Sequence, residues 1–145
     1  MTDKPAKPVP AITPELAPFF EAARRHQLVV QRCGGCGALR FPARPVCSAC
    51  LSHESTWVPV SGRGKVFTLA IMHQAIDPGF AAEVPYAVVL VELDEGVRMI
   101  TNVVDCPASE IEIGMPVEVV FEEVSPPGEV QVTLPKFRRV PSGSA

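Results

Sequence analysis

Residues 33–37, Cys33-Gly34-Gly35-Cys36-Gly37, and residues 47–50, Cys47-Ser48-Ala49-Cys50, decide how this chain is read. Their spacing is C-x2-C-x10-C-x2-C. Each C-x2-C pair puts two thiolates on one tight knuckle, and two knuckles close a tetrahedron around a zinc ion. Gly34, Gly35 and Gly37 suit such a turn, because glycine tolerates it and lets backbone N–H groups face the sulfurs. Arg32, Arg40 and Arg44 flank the cysteines and offset the charge of four thiolates around a dication. Two disulfides are the alternative, but doubled C-x2-C spacing with no secretory signal ahead of it favours metal. Iron in a rubredoxin-like site would use the same ligands. Four protein thiolates leave no open position for substrate or water, so the expected centre is structural.

Working outward, Gln27 to Arg32 reads as a strand into the first knuckle, and Leu39-Arg40-Phe41-Pro42 as the returning strand. The ribbon, residues 28–57, is too small to fold without its metal. Ahead of it, an N-terminal helical unit is expected over residues 14–27. Thr13-Pro14-Glu15 is a helix-start signal, with a capping side chain and then a proline where no N–H is needed. Leu16, Phe19, Phe20 and Ala23 recur on one helical face. Pro18 inside a helix would cost about 3 kcal/mol. The expectation is therefore a single turn over Pro14–Ala17, with Pro18 opening a helix that runs to about His26. Phe19 and Phe20 either pack on their own domain or dock on a partner. Residues 1–13 and 141–145 are expected to be flexible tails.

Beyond the ribbon the pattern changes to strands. Lys65–Met72, Tyr86–Leu93, Val97–Val104, Val117–Val124 and Glu129–Leu134 are rich in β-branched residues and bounded by turn signals. Asp94-Glu95-Gly96 and Pro126-Pro127-Gly128 read as hairpin turns. Strict alternation over Glu129–Leu134 predicts one buried and one wet face. A closed OB-fold β-barrel over residues 58–140 is the simplest solution, though a sandwich also meets the periodicity. The fold class is mainly β: an N-terminal helix, a rubredoxin-like zinc ribbon, then a C-terminal OB-fold. One connection, His73 to Pro85, is long enough to suggest function, and Phe80 in its middle is a candidate ligand or partner contact.

Composition narrows the function. Of the 145 residues, 47% are hydrophobic and 20% charged, enough apolar content for a core. The net charge of −3 implies no broad attraction to nucleic acid or to an acidic membrane. No apolar run approaches the ~18 residues of a membrane span, and Met1–Pro10 lacks the apolar region of a secretory signal. A cytoplasmic location is the expectation. No catalytic set stands out. Cys106 is the one cysteine outside the ribbon, and its neighbour Asp105 disfavours a thiolate. His26, His53 and His73 are scattered; His73, at the mouth of the long loop, is the best acid–base candidate. Asp94 and Glu95 read as solvated turn residues. Arg63 with Lys65, and Lys136 with Arg138 and Arg139, form basic clusters that could meet phosphates. Phe137 between the latter could stack on an adenine or on a partner.

Several motifs occur in one order: Pro18-Phe19-Phe20-Glu21-Ala22, Gln31-Arg32-Cys33-Gly34-Gly35-Cys36-Gly37, Phe41-Pro42-Ala43-Arg44-Pro45-Val46-Cys47, Gly62–Thr68, Pro85–Leu93 and Ile113–Val119. This order resembles the DUF35 proteins, over about residues 14–140. The resemblance implies a zinc ribbon joined to an OB-fold and a role in acyl-CoA metabolism. It further implies an accessory subunit, not catalytic alone, of a thiolase-fold enzyme: a thiolase, acyltransferase or retro-aldolase. Some such proteins are fused to or paired with hot-dog hydratases. The partner would carry the nucleophilic chemistry, in an α2β2 assembly. The DUF35 chain would support it, bridge subunits and help shape the site for a coenzyme A thioester. Only the four cysteines carry over as ligands. His26-Gln27 departs from the pattern, because a glycine-containing turn is expected after the helix. Two other classes compete: a single-stranded nucleic-acid-binding module and a stand-alone acyl-CoA-binding protein.

Overall fold

Helix α1 spans Ala17–Arg24, with Pro18 in its first turn, where the missing N–H costs nothing. Thr13 starts a preceding turn rather than capping the helix. Its carbonyl accepts the N–H groups of Leu16 and Ala17 at 3.0 and 2.9 Å, and its hydroxyl meets Glu15. In place of the glycine-containing turn expected after the helix, His26 takes the left-handed conformation, with φ 57°. The Gln27 N–H donates to the Ala22 carbonyl at 2.9 Å, and the His26 N–H to that of Ala23 at 2.8 Å. This double closure satisfies the last carbonyls. The His26 ring stacks on Phe121, with centroids 5.2 Å apart, a contact that glycine could not make.

The structure, a computed structural model, describes residues 13–74, 82, 84–124 and 131–140. The expected tails (apart from Thr13), Phe80 with most of its loop, the Pro126-Pro127-Gly128 turn and Glu129-Val130 lie outside the described residues.

The ribbon is a three-stranded antiparallel sheet of β1 (Val29–Cys33), β2 (Leu39–Arg40) and β3 (Ser55–Pro59), in the order β2-β1-β3. The strand β3 was not evident from sequence, because its mixed burial carries no clean alternation. It runs past Trp57, the expected end of the ribbon.

The second sheet contains β4 (Arg63–Met72), β5 (Tyr86–Leu93), β6 (Arg98–Thr101), β7 (Val103–Val104), β8 (Pro116–Val124) and β9 (Val132–Arg139), in the order β6-β5-β4-β8-β9-β7. The strands β6 and β7 are two halves of one passage, interrupted at Asn102. The first half pairs with β5, the second pairs in parallel with β9, and the barrel closes. This is the OB-fold connectivity, and it excludes the sandwich. At Gly64 an added Cβ would fall on the Glu92 carbonyl oxygen, so glycine is what lets β4 and β5 approach.

Two strand expectations need correction. Val97–Val104 is not continuous, because Asn102 turns the chain from one neighbour to the other. Its Nδ2 donates to the Ala87 carbonyl at 2.8 Å, and its own carbonyl accepts the Phe137 N–H at 3.0 Å. The last strand passes through Pro135 to Arg139, and Val132 and Thr133 are both buried, so its alternation is not clean. Phe137, Leu93, Met99, Val66, Val89, Val91 and Val117 fill the barrel. Phe19, Phe20, Leu28, Val29 and Val30 join them in one apolar cluster, with α1 packed on β9 and β1. No helix among the described residues is long and apolar enough to cross a membrane.

Candidate functional site

The four cysteine sulfurs lie within 4.8 Å of one another. Cys33 and Cys50 are 3.5 Å apart, and Cys36 and Cys47 3.7 Å. Bonds of about 2.3 Å in a tetrahedral zinc–thiolate centre require sulfurs about 3.8 Å apart, so the donors fit the ion. The knuckles supply N–H groups as read from the glycines: Gly35 and Cys36 donate to the Cys33 sulfur at 3.3 and 3.4 Å, and Ala49 to that of Cys47 at 3.4 Å. The residue after each knuckle takes a left-handed conformation, Gly37 with φ 78° and Leu51 with φ 66°.

Electrostatics point the same way. The Cys36 N–H leads the effects that hold the Cys33 thiol down to about 6, against burial. Cys47 is lowered by the Cys50 and Ala49 N–H groups. Cys50 is pulled down by the Ser52 N–H, but the Cys33 sulfur and burial outweigh this and push it up to about 12. Four adjacent thiols do not ionise together unless a cation shares their charge. With a metal bound by all four there is no open position, so the centre holds the ribbon together and performs no step of a reaction.

The remaining candidates are dispersed. Phe19 and Phe20 are buried and meet edge-to-face at 5.3 Å, and Phe19 also packs on Phe41 and Trp57. They tie helix to ribbon, and their residual surface floors a groove of about 360 Å³. Phe137 is fully buried in the barrel and offers no ring to an adenine or a partner, contrary to the sequence expectation. It faces inward because β9 extends through it. Arg63, Glu118 and Arg138 stand side by side on β4, β8 and β9, with Arg138 bonded to Glu118 at 2.8 Å. Lys65 lies opposite Glu92, itself paired with Arg98, and Arg139 reaches Glu110. Carboxylates thus interleave the basic clusters. Lys136 lines the groove and a second cavity, and donates to Asn102 Oδ1 at 2.8 Å.

That second cavity, about 420 Å³, is walled by Tyr86, Asn102, Val104, Cys106, Ile111 and Lys136. The half-buried Cys106 follows Asp105, which has φ 57°. No histidine is among the cavity's lining residues, so no thiolate–imidazole pair forms there. Sequence reasoning missed Asn102, because a lone asparagine between two valine-rich stretches carries no signal. Glu95 is the exposed turn residue expected, and it also accepts the Ser61 N–H at 2.7 Å and its hydroxyl at 3.2 Å, fastening the ribbon–barrel junction.

Comparison with known proteins agrees with this architecture. The ChsH2 rubredoxin-like zinc ribbon domain matches residues 20–56, and the ChsH2 C-terminal OB-fold domain matches residues 57–122. A probable enoyl-CoA hydratase alpha subunit of Thermomonospora curvata is 43% identical over 93% of this chain. The chain spans only 40% of that relative's length. A DUF35 domain-containing scaffold protein of Methanocaldococcus jannaschii is 37% identical over 72% of this chain and 74% of its own. A benzoylsuccinyl-CoA thiolase subunit of Thauera aromatica is 32% identical over 66% of this chain and 65% of its own. Among solved structures, a chain of the Ltp2-ChsH2(DUF35) aldolase superposes with a TM-score of 0.77 at 43% identity, covering 90% of this chain and 98% of that one.

Proposed function

This chain belongs to the DUF35 family, and on that premise we propose that it acts as a non-catalytic accessory subunit of a heteromeric thiolase-fold enzyme working on acyl-CoA thioesters. The observation that carries this reading is a closed four-thiolate centre beside a barrel whose one cavity cysteine has no histidine in the same lining. Relatives named as a thiolase subunit and as part of an aldolase support it. The bound metal is zinc, held by Cys33, Cys36, Cys47 and Cys50. The partner supplies the nucleophile, in an α2β2 assembly in the cytoplasm. This chain stabilises the partner and contributes to the acyl-CoA site, where Lys136 is the favoured phosphate or thioester contact because it lines both cavities. Arg63, Lys65 and Arg138 are further candidate contacts.

Native mass spectrometry of the tagged chain purified from its host tests the reading. The expected species is this chain with a thiolase-fold chain in fixed ratio, with one zinc per copy and turnover only in the complex. A lone monomer or homodimer that binds single-stranded oligonucleotide with a steep salt dependence would overturn it. A second reading rests on the hydratase relative: an enoyl-CoA hydratase in the same assembly. A hydratase chain in the same spectrum would establish it.

A further inference from the structure

The four cysteines of the centre are not equivalent. Both knuckles and the linker between them lie within the described residues. Cys33 and Cys47 are each only 3% exposed, whereas Cys36 and Cys50 stand on the surface. Backbone donors divide them further. The Cys33 sulfur accepts the N–H groups of Gly35 and Cys36, and the Cys47 sulfur accepts that of Ala49. The Cys50 sulfur faces the Ser52 N–H and is crowded by Gly35, where an added Cβ would lie 3.1 Å from it. Among the described residues no N–H donates to the Cys36 sulfur. Cys36 lies in the middle of an exposed run, residues 34–38. The Arg32 guanidinium stands beside the adjoining Gly37, where an added Cβ would meet one of its nitrogens at 3.9 Å.

These differences rank the sulfurs by reactivity. With a cation bound by all four, every sulfur is a thiolate, so protonation does not distinguish them. Oxidation then follows exposure and the charge left free on sulfur. A hydrogen bond to a thiolate stabilises its charge and weakens it as a nucleophile. A closed coordination shell keeps substrate off the metal but leaves an outward-facing sulfur open to attack. Cys36 combines exposure, the lack of a donor and a nearby cation, the surroundings of reactive thiolates.

We infer that Cys36 is a modification site, the ligand at which a hydroperoxide enters the zinc centre, and that its oxidation frees the metal. The Cys36 thiolate attacks one peroxide oxygen, the O–O bond breaks and hydroxide leaves. Sulfur is thereby oxidised by two electrons to the sulfenic acid, and the peroxide is reduced. The Cys47 thiolate, 3.7 Å away, then attacks the sulfenic sulfur. The S–O bond breaks, a second hydroxide leaves and a Cys36–Cys47 disulfide joins the two knuckles. Two thiolates and one peroxide thus give one disulfide and two hydroxides. Cys33 and Cys50 alone remain for the ion, half the set a structural zinc needs. The ribbon depends on its metal, so its folding becomes sensitive to peroxide.

The test uses the full zinc-loaded chain carrying Cys106→Ser, which removes the one thiol outside the centre. Hydrogen peroxide is added in equimolar amount. Zinc release is followed with a chromogenic chelator, and the first oxidised cysteines are mapped by alkylation and mass spectrometry. The expected first product is the Cys36–Cys47 disulfide, formed in step with zinc release and reversed by dithiothreitol. Cys36→His supplies a fourth ligand without the thiolate. Loaded with zinc, it should release the metal under peroxide about tenfold more slowly. A first product other than that disulfide, zinc release while Cys36 stays reduced, or no release at all overturns the inference. Equal release rates from zinc-loaded Cys36→His overturn it too. If that variant does not load zinc, the mapping on the Cys106→Ser chain decides.

Discussion

In the ribbon, β2 meets β1 through two residue pairs, Gln31–Arg40 and Arg32–Leu39, whereas in the barrel β8 meets β9 through eight, from Val117–Arg139 to Val124–Val132. The two regions bury different things. Around the knuckles the buried side chains include two thiols, Cys33 and Cys47, and an amide, Gln31, that accepts from Arg40 and the Arg44 N–H. Inside the barrel they are Phe137, Met99, Leu93 and a set of valines. One region is organised by polar donors around a cation, the other by apolar area and a closed ladder. The same class of secondary structure therefore has two sources of stability, and perturbations should separate them.

The largest separation should come from Cys36→Ser. Zinc binding supplies roughly 10–16 kcal/mol to small ribbons, so the variant should release its metal, lose β1–β3 and, on the accessory-subunit proposal, fail to bind the thiolase-fold chain, while the barrel keeps its amide protection. Metal analysis with hydrogen exchange checks this, and a variant retaining full zinc and partner would refute the structural role. Acid should act in the same direction. Cys33, held down to about 6 in the folded chain, stabilises the fold as a thiolate above the ordinary thiol range and loses that contribution as pH falls through about 6. Zinc competes with protons for the thiolates, so it should leave only at a pH below that at which the metal-free thiol takes up its proton, with the barrel intact. Simultaneous loss of ribbon and barrel signals in a pH titration followed by two-dimensional NMR would merge the two regions.

Phe137→Ala should do the reverse. Truncating a fully buried phenylalanine costs about 3–5 kcal/mol, here paid by the barrel, with zinc retained. Urea unfolding alongside zinc quantitation reads both. The smallest effect contrasts the knuckles themselves. Leu51 takes the left-handed conformation that Gly37 takes in the first knuckle, and its side chain is 72% exposed, so little packing offsets the strain. Leu51→Gly should stabilise the ribbon by about 1 kcal/mol, seen as slower zinc transfer to a chelator; faster transfer would show that Leu51 is held by a contact.

Much of this was legible from sequence, for local reasons. The cysteine spacing specifies a metal centre whatever surrounds it, Pro18 sets the first turn of α1, and Tyr86–Leu93 is rich enough in β-branched residues, between turn signals, to give a strand with those bounds. The misses are equally local. β3 is short and irregular, Asn102 breaks a strand without a glycine or proline to announce it, and Phe137 was read with its charged neighbours because Pro135 suggested that the strand had ended.

By itself, the amino-acid sequence determined the ribbon with its four ligands, the β-rich second half and the DUF35 resemblance, because spacing and periodicity are properties of neighbouring residues. Only the tertiary structure decided that the barrel closes through Asn102, that Phe137 belongs to its core, that acids stand beside Arg63, Lys65, Arg138 and Arg139, and that among the described residues β6 pairs with a strand on one side only. Each of these depends on which strands lie side by side, and that arrangement is chosen by packing across the whole chain.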